Sequence, residues 1–219
     1  MPARPATPKP TPENLMEAYM QTALETGTFP VSVYSFCKER GWQEADFYSQ
    51  YGSLEGLRKA VWTSFFDQAL ERLEQSEGFE SAPAREKVLG FFFTFFELLG
   101  LNRSYVLLDL QADKPHFKRV ERLSALRGRI RSISGAWFGN AAPPAMKKLA
   151  PARERLFAEG FWAQLLFLLD FWVNDDSAGF EKTDAAIEKS VHTIFDLLDH
   201  TPLERVIDFG KFLVRERFS

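Results

Sequence analysis

The chain has 219 residues, of which 45% are apolar and 26% are charged, and this composition is typical of one large or two small globular domains. Its formal net charge of -3 argues against binding nucleic acid through bulk positive charge, although a local basic patch could still do so. The single cysteine, Cys37, excludes an internal disulfide and a thiolate metal cage. We therefore expect a cytoplasmic protein with a sizeable core.

The N-terminal segment, residues 1–12, carries five prolines and lacks the apolar centre of a signal peptide. We expect it to form an extended arm. The most apolar runs, residues 88–96 and 165–173, are shorter than the roughly 20 residues that a membrane span needs. The sequence therefore predicts no transmembrane segment and places both runs in buried helices.

Apolar residues recur at steps of three and four along most of the chain, which predicts an all-α protein of nine or ten helices. The first helix is expected at residues 12–26 and ends before Gly27. A second helix at residues 33–40 and a third at about 43–50 are separated by Gly41. Three short helices in this span predict a compact head.

The remainder of the chain is divided by two predicted loops, residues 77–83 and the proline-containing segment at 137–145. Seven further helices are expected around these segments. They are predicted at 53–75, 84–100, 103–112, 115–133, 151–173, 180–199 and from Pro202 onward.

A series of signals follows along the head. Gly27 ends the first helix, Phe29 lies in an apolar turn, Val33 begins a short helix, and Gly41 follows that helix. Tyr48 and Tyr51 then form a Tyr-x-x-aromatic signature at the end of the third helix, and Leu57 follows in the next helix. In this order and spacing, residues 13–62 resemble the N-terminal domain of the TetR family of bacterial transcriptional regulators. The resemblance implies, after the flexible arm at 1–12, a helix-turn-helix domain at 13–62 and an all-helical ligand-binding and dimerisation domain at 63–219.

The resemblance also implies that the third helix reads DNA, but its charge departs from the family pattern. Glu44 and Asp46 stand where small or polar residues are usual, and Leu54 replaces a frequent lysine that pairs with phosphate. The two acids can read cytosine or can simply solvate and cap the helix start. Candidate DNA contacts are Lys38, Arg40, Glu44, Tyr48 and Ser49, supplemented by Arg4 and Lys9 on the arm.

The C-terminal part is rich in phenylalanine, which fills a core or lines an apolar cavity. The resemblance implies that this part binds a small effector and forms a homodimer through its last long helices. We expect the ligand to contact Phe92, Phe96, Arg122 and Phe167. The expected dimer contacts, for which packing within one monomer is the alternative, are Phe161, Trp162, Leu165, Leu169, Ile187, Val191, Ile194 and Leu198.

Two charged segments leave alternatives open. The stretch at 114–131 has seven basic residues against one acid, so it either faces an anionic partner or forms a solvated helix face balanced by acids elsewhere. The segment from Leu203 to Phe218 is amphipathic and suits docking on the bundle or a membrane interface.

The chain contains none of the common catalytic motifs, and we predict neither an enzyme nor a cofactor. His192, Asp196 and His200 share a helix face, but their span of about 12 Å is too long for all three to hold one ion. The sequence therefore predicts a cytoplasmic, homodimeric regulator that binds DNA through the head and an apolar or amphipathic ligand through the C-terminal domain. The alternative is a ligand or lipid carrier, or an interaction protein, of the same fold that has lost DNA binding.

Overall fold

The computed structural model describes residues 8–112, 120–138 and 150–200. Over these residues the chain is helical with no strand, which confirms the all-α prediction. In chain order the helices are α1 Pro12–Thr26, α2 Val33–Arg40, α3 Glu44–Tyr48, α4 Leu54–Glu74, α5 Ala84–Leu101, α6 Arg103–Gln111, α7 Ser124–Phe138, α8 Ala150–Val173 and α9 Glu181–His200. A 3-10 turn at Ala178–Phe180 precedes α9.

The ends of the first two helices follow from local chemistry. Thr11 and Asn14 form a reciprocal capping box at the start of α1, and the Ser32 hydroxyl accepts the Ser35 amide at the start of α2. Gly27 and Gly41 end the two helices with φ of +69° and +73°, a region that favours glycine because it has no β-carbon. These signals are local, so the sequence alone located both helices.

Two helices differ from their predicted bounds by more than one residue at an end. The third helix is shorter than residues 43–50, because Gln43 forms no side-chain cap and Ser49 already closes it. The helix predicted at 115–133 breaks at Leu123, and α7 then continues to Phe138, beyond the predicted end. Burial of Trp137 and Phe138 stabilises this extra turn, which the expected loop at 137–145 had not allowed.

Packing divides the chain into two units that are not contiguous in sequence. Unit 1 comprises residues 1–68 and 97–126, and unit 2 comprises residues 69–96 and 127–219. The predicted domains at 13–62 and 63–219 are contiguous segments. The difference arises because α6 packs against α1, which brings residues from the predicted C-terminal domain into the unit of the head.

The core of unit 1 is a small aromatic cluster around Tyr19, which is 2% exposed. Its ring stacks on Phe29 at 5.7 Å between centroids and meets the edge of Phe36 at 6.2 Å. Phe29 in turn meets Tyr105 of α6 at 6.3 Å. The three helices α1, α2 and α6 are therefore joined through aromatic side chains.

The core of unit 2 is larger and almost wholly aromatic and aliphatic. Phe91 stacks on Phe95 at 5.6 Å, and Phe161 of α8 lies 4.9 Å from Phe92. A second cluster stacks Phe138 on Phe157 at 4.2 Å. Burial of so many rings is the main source of stability in this unit.

Several expectations lie outside the described residues. They concern the arm up to residue 7, including Arg4, the basic residues of the 114–119 segment, the predicted loop beyond Phe138, the side chains of Leu198 and His200, and the amphipathic segment after His200.

Candidate functional site

The turn between α2 and α3 is held by backbone hydrogen bonds. The Gly41 amide donates to the Lys38 carbonyl at 3.3 Å, and the Trp42 amide donates to the Cys37 carbonyl at 2.9 Å. Trp42 also meets the ring of Phe36 at 6.0 Å between centroids. The turn between α2 and α3 is therefore set by Gly41 and by the aromatic residue that follows it.

A single buried side chain anchors α3. Phe47 is 0% exposed, and its ring lies 6.2 Å from those of both Phe36 and Tyr51. A helix of five residues has little stability of its own, so this anchor sets which side of α3 faces outward.

Three of the predicted DNA contacts lie together on the outward side of α3. Glu44 and Ser49 are exposed, and Tyr48 is 54% exposed. Glu44 and Tyr48 are one helical turn apart and therefore share a face. The Ser49 hydroxyl donates to the Asp46 carbonyl at 2.7 Å, which ties it to the helix end.

The two predicted basic contacts on α2 have different environments. Lys38 is exposed, with its ammonium 5.5 Å from the Tyr34 ring centroid. Arg40 instead turns toward α1, where it donates to Gln21 Oε1 at 3.1 Å, the Ala18 carbonyl at 3.2 Å and Thr22 Oγ1 at 2.9 Å. The guanidinium of Arg40 therefore fastens α2 to α1.

The end of the arm offsets part of the acidic charge on α3. Lys9 lies with its ammonium 3.4 Å from a carboxylate oxygen of Asp46. The Lys9 side chain is 87% exposed, so the pair contributes little stability, on the order of 0 to 1 kcal/mol. Its effect is to reduce the negative field at the start of α3.

Sequence reasoning missed the most strongly bonded polar group of unit 1, the carboxylate of Asp109 on α6. Asp109 is 0% exposed. Arg58 of α4 donates to one carboxylate oxygen through Nε, and Trp62 donates to the other at 2.8 Å. Arg122 donates to that second oxygen at 3.0 Å and to the Asp109 carbonyl at 3.1 Å. We call these four residues the Asp109 cluster.

A carboxylate and an aromatic ring outside the Asp109 cluster contact its two arginines. Two arginines face one buried carboxylate, and Glu55 supplies a further carboxylate 3.6 Å from Arg122 Nε. The guanidinium carbon of Arg58 also lies 3.8 Å from the Phe29 ring centroid, a distance suited to a cation–π contact. The cluster therefore links α4, α6 and residue 122 within unit 1.

The buried phenol of Tyr105 lies one helical turn before Asp109 on α6, and the charge of Asp109 acts on it. Its hydroxyl has no hydrogen-bond partner among the described residues. Burial raises the pKa of Tyr105 far above its usual range, with a further upward contribution from the charge of Asp109, and burial raises the pKa of Tyr19 in the same way. Both phenols are therefore neutral throughout the ordinary pH range.

A sequence signal for the cluster exists in retrospect. Asp109 interrupts the apolar run Val106 to Leu110 on the inward side of α6. An acid at a core position needs a buried cation or several donors. Which of the 27 basic residues would supply it is a tertiary question that spacing cannot answer.

The four predicted ligand contacts are divided between the two units. Phe92 and Phe96 are buried in unit 2, with ring centroids 6.5 Å apart. Phe167 of α8 is 52% exposed and lies 6.2 Å from Phe171. Arg122 belongs to unit 1, where its guanidinium donates to the buried carboxylate of Asp109.

Six of the eight predicted dimer contacts are buried within one chain. They are at most 6% exposed, since α8 and α9 pack on each other and on the aromatic core. These six are Phe161, Trp162, Leu165, Leu169, Ile187 and Val191. Ile194 is half-buried. The apolar side chains left exposed on α8 are a different set, with Phe167 and Phe171 at 52% and 36% exposure.

The described part of the basic stretch is balanced by acids of the chain itself. Arg127 donates to Glu159 at 3.0 Å through Nε, and Arg131 donates to the same carboxylate at 2.7 Å. These hydrogen bonds hold the pKa of Glu159 below its usual range. This arrangement agrees with the simpler interpretation of that stretch, a helix face balanced by acids elsewhere.

The polar face of α9 makes contacts with an arginine. Arg85 donates to Asp196 at 2.7 Å and lies 3.3 Å from His192 Nδ1. Within the described residues, no group of three His, Cys, Asp or Glu side chains is arranged to hold a metal ion.

One described helix is long and apolar enough to cross a membrane by length and composition. This is the segment Glu154–Val173 of α8, and half of its most apolar window is buried inside the protein. The pair α5 and α6 passes the same test only when it is counted as one span, although it bends by 91°. Such a signal is weak, because a buried core helix gives it as well.

A protein-family model matches the C-terminal part of the chain. The model of the tetracyclin repressor-like C-terminal domain family matches residues 87–213, which is more than half of the chain. No curated protein and no solved structure matches the chain. The match covers α5 to α9, whereas the sequence resemblance rested on the head at residues 13–62, so two separate parts of the chain indicate the same family. The chain belongs to the TetR family.

Proposed function

We propose that this protein is a transcriptional regulator that binds DNA through α2 and α3 and is controlled by an apolar or amphipathic ligand in its C-terminal domain. The observation that carries this proposal is the outward face of α3. Phe47 fixes the helix from inside, while Glu44, Tyr48 and Ser49 project outward as a recognition helix requires.

In this proposal, α4 transmits the effect of the bound ligand to the recognition helix. This helix starts six residues after α3 ends, and Asp109 of α6 holds it through Arg58 and Trp62. A shift of α6 would therefore move α4 and the recognition helix with it. In a dimer, two recognition helices must lie about 34 Å apart to enter two successive half-sites. A small rotation of α4 would change that spacing and release DNA.

Dimerisation is part of the proposal, and burial changes where we expect its contacts. A residue already buried in its own chain has no apolar surface left to offer a partner. We therefore assign the contact to the apolar side chains that remain exposed on α8, with Phe167 and Phe171 at its centre. Sedimentation of the full chain tests this assignment, and a Phe167→Ser, Phe171→Ser double variant is expected to be monomeric.

The decisive test of function is binding to DNA from upstream of the protein's own gene, titrated across salt. A regulator gives saturable, sequence-dependent binding that weakens steeply as salt rises. If α3 faces DNA, Glu44→Lys is expected to tighten binding by about tenfold at low salt and to add close to one unit to the salt slope. Glu71→Lys, an exposed position on α4, changes net charge equally and is the matched control.

A second function is favoured by a specific observation, the charge of the head. The exposed face of α3 carries Glu44, and Arg40 is engaged with α1 rather than presented to solvent. A head kept only as structure, on a protein that carries a lipid or other amphipathic ligand, would have these properties. Absence of DNA binding at low salt, with equal behaviour of Glu44→Lys and Glu71→Lys, would support this function instead.

A further inference from the structure

Unit 1 contains a groove that the proposed function does not use. It lies between α1 and α4, has a volume of about 500 Å³, and the described residues that line it all belong to unit 1. This volume is within the range of small-molecule sites. Residues Glu13 to Glu25 line it along α1, a distance of about 18 Å at 1.5 Å per residue.

The floor of the groove is apolar. Val61 and Phe65 of α4 form its base and are 1% and 5% exposed. Met16 and Met20 are half-buried beside them, and Leu24 is 48% exposed. A ligand that covers this exposed leucine and the two adaptable methionine side chains removes apolar surface from water, which favours binding.

The rim of the groove is acidic. Glu13, Glu17 and Glu25 line it, and among the described residues its lining includes no lysine, arginine or histidine. The three carboxyl groups are exposed on α1. A hydrogen bond with Thr11 keeps the pKa of Glu13 below its usual range, so this carboxylate is charged well below neutral pH.

We propose that this groove binds an elongated organic cation with an apolar body, such as an alkylammonium. The methyl and phenyl groups of the floor would cover the hydrocarbon part, and the carboxylates of Glu13 and Glu17 would face the ammonium. A neutral ligand with the same alkyl group cannot pair with the two carboxylates, and an anionic one is repelled by them. The groove therefore selects by charge as well as by hydrophobicity.

The groove is connected to the helix-turn-helix through Gln21. Its amide nitrogen donates to Glu25 at 2.8 Å, while its oxygen accepts from Arg40 at 3.1 Å. Arg40 is the residue that fastens α2 to α1. A ligand in the groove that displaces Gln21 would therefore disturb the hydrogen bond that supports α2.

The test is calorimetric titration of the full chain with octylammonium chloride, octan-1-ol and octanoate at concentrations where each is monomeric. Octylammonium is expected to bind one to a chain, at least about tenfold more tightly than octan-1-ol, and more weakly as salt rises. Equal affinity for the alcohol, or no saturable binding of octylammonium, would overturn the proposal.

Variants locate the bound cation. Glu13→Gln with Glu17→Gln is expected to weaken octylammonium binding by about tenfold, because two exposed ion pairs are lost. Glu71→Gln with Glu74→Gln, two exposed positions on α4 outside the groove, is the charge-matched control and should keep the affinity. Leu24→Ser, at a half-exposed position, is expected to weaken binding by about fivefold.

The test of the groove does not depend on whether the protein binds DNA. If the groove variants leave octylammonium binding unchanged, the cation lies elsewhere and the proposal fails, whether or not the head binds DNA. If they abolish binding while upstream DNA is still bound by the free protein, the groove is a second ligand site in a working regulator.

Discussion

The two packed units of this protein use different chemistry to hold their helices together. Unit 1 places a carboxylate with two guanidinium groups in its core, at Asp109, Arg58 and Arg122. Unit 2 packs rings, and its centre holds Phe91, Phe161 and their aromatic neighbours. A buried ion cluster has few satisfactory arrangements, whereas an aromatic core can repack. Unit 1 is therefore the more specifically fixed unit, and the core of unit 2 is expected to tolerate substitutions better.

Removal of the central carboxylate should have the largest effect on stability. Asp109→Ala leaves Arg58 and Arg122 buried beside each other without their shared anion. We expect a loss of about 4 kcal/mol in the free energy of unfolding, measured by urea denaturation. Glu39→Ala, at an exposed position on α2, should change it by less than about 0.5 kcal/mol. A loss below about 1 kcal/mol for Asp109→Ala would show that the cluster is dispensable.

Truncation in the aromatic core should have the next largest effect. Phe161 is 3% exposed and contacts the rings of Phe91, Phe92 and Trp137. Phe161→Ala is expected to lower the free energy of unfolding by about 3 kcal/mol, and Phe161→Leu by about 1 kcal/mol, since leucine fills part of the cavity. Equal losses for the two variants would argue against a core that repacks.

A smaller, pH-dependent effect is expected at the start of α9. Asp175 is 5% exposed. Desolvation alone would raise its pKa, but hydrogen bonds from Ser177 and Thr183 outweigh this and lower the pKa well below the usual range. The Thr183 amide and hydroxyl donate to it at 2.9 and 2.6 Å.

Asp175→Asn should lower the free energy of unfolding by about 1 to 2 kcal/mol at neutral pH. Because the folded-state pKa is depressed, the stabilisation is complete above the unfolded pKa of about 3.9 and is lost as pH falls below it. Urea denaturation of wild type and variant from pH 7 to 3 measures this. A difference between them that stays constant down to pH 3 would contradict the assignment.

The smallest predicted change is a gain. The Tyr105 hydroxyl is buried with no hydrogen-bond partner among the described residues, and burying such a group is unfavourable. Tyr105→Phe should therefore raise the free energy of unfolding by up to about 1 kcal/mol. Tyr19→Phe, at the other buried phenol of unit 1, serves for comparison. Destabilisation by Tyr105→Phe would indicate that the hydroxyl has a partner in solution.

The local signals in the sequence were sufficient for the helices of the head. Thr11, Ser32, Gly27 and Gly41 act on their own neighbours, so caps and turns could be assigned without a tertiary structure. The end of α7 could not, because Trp137 and Phe138 are helical only through the burial of their rings in unit 2. The arrangement on α3 was partly foreseen, since its acidic outer face follows from residue order once Phe47 is known to point inward.

Periodicity, caps and spacing within short segments were enough to predict the all-helical class and the family. The partners of the charges were set only by the tertiary structure. It turned Arg40 onto α1, gathered Arg58 and Arg122 around Asp109, and buried Phe161 and Trp162 in their own chain. These pairings join residues far apart in sequence, and many basic residues could have met each acid. Packing selects among them because a buried charge is stable only where its partner can reach it.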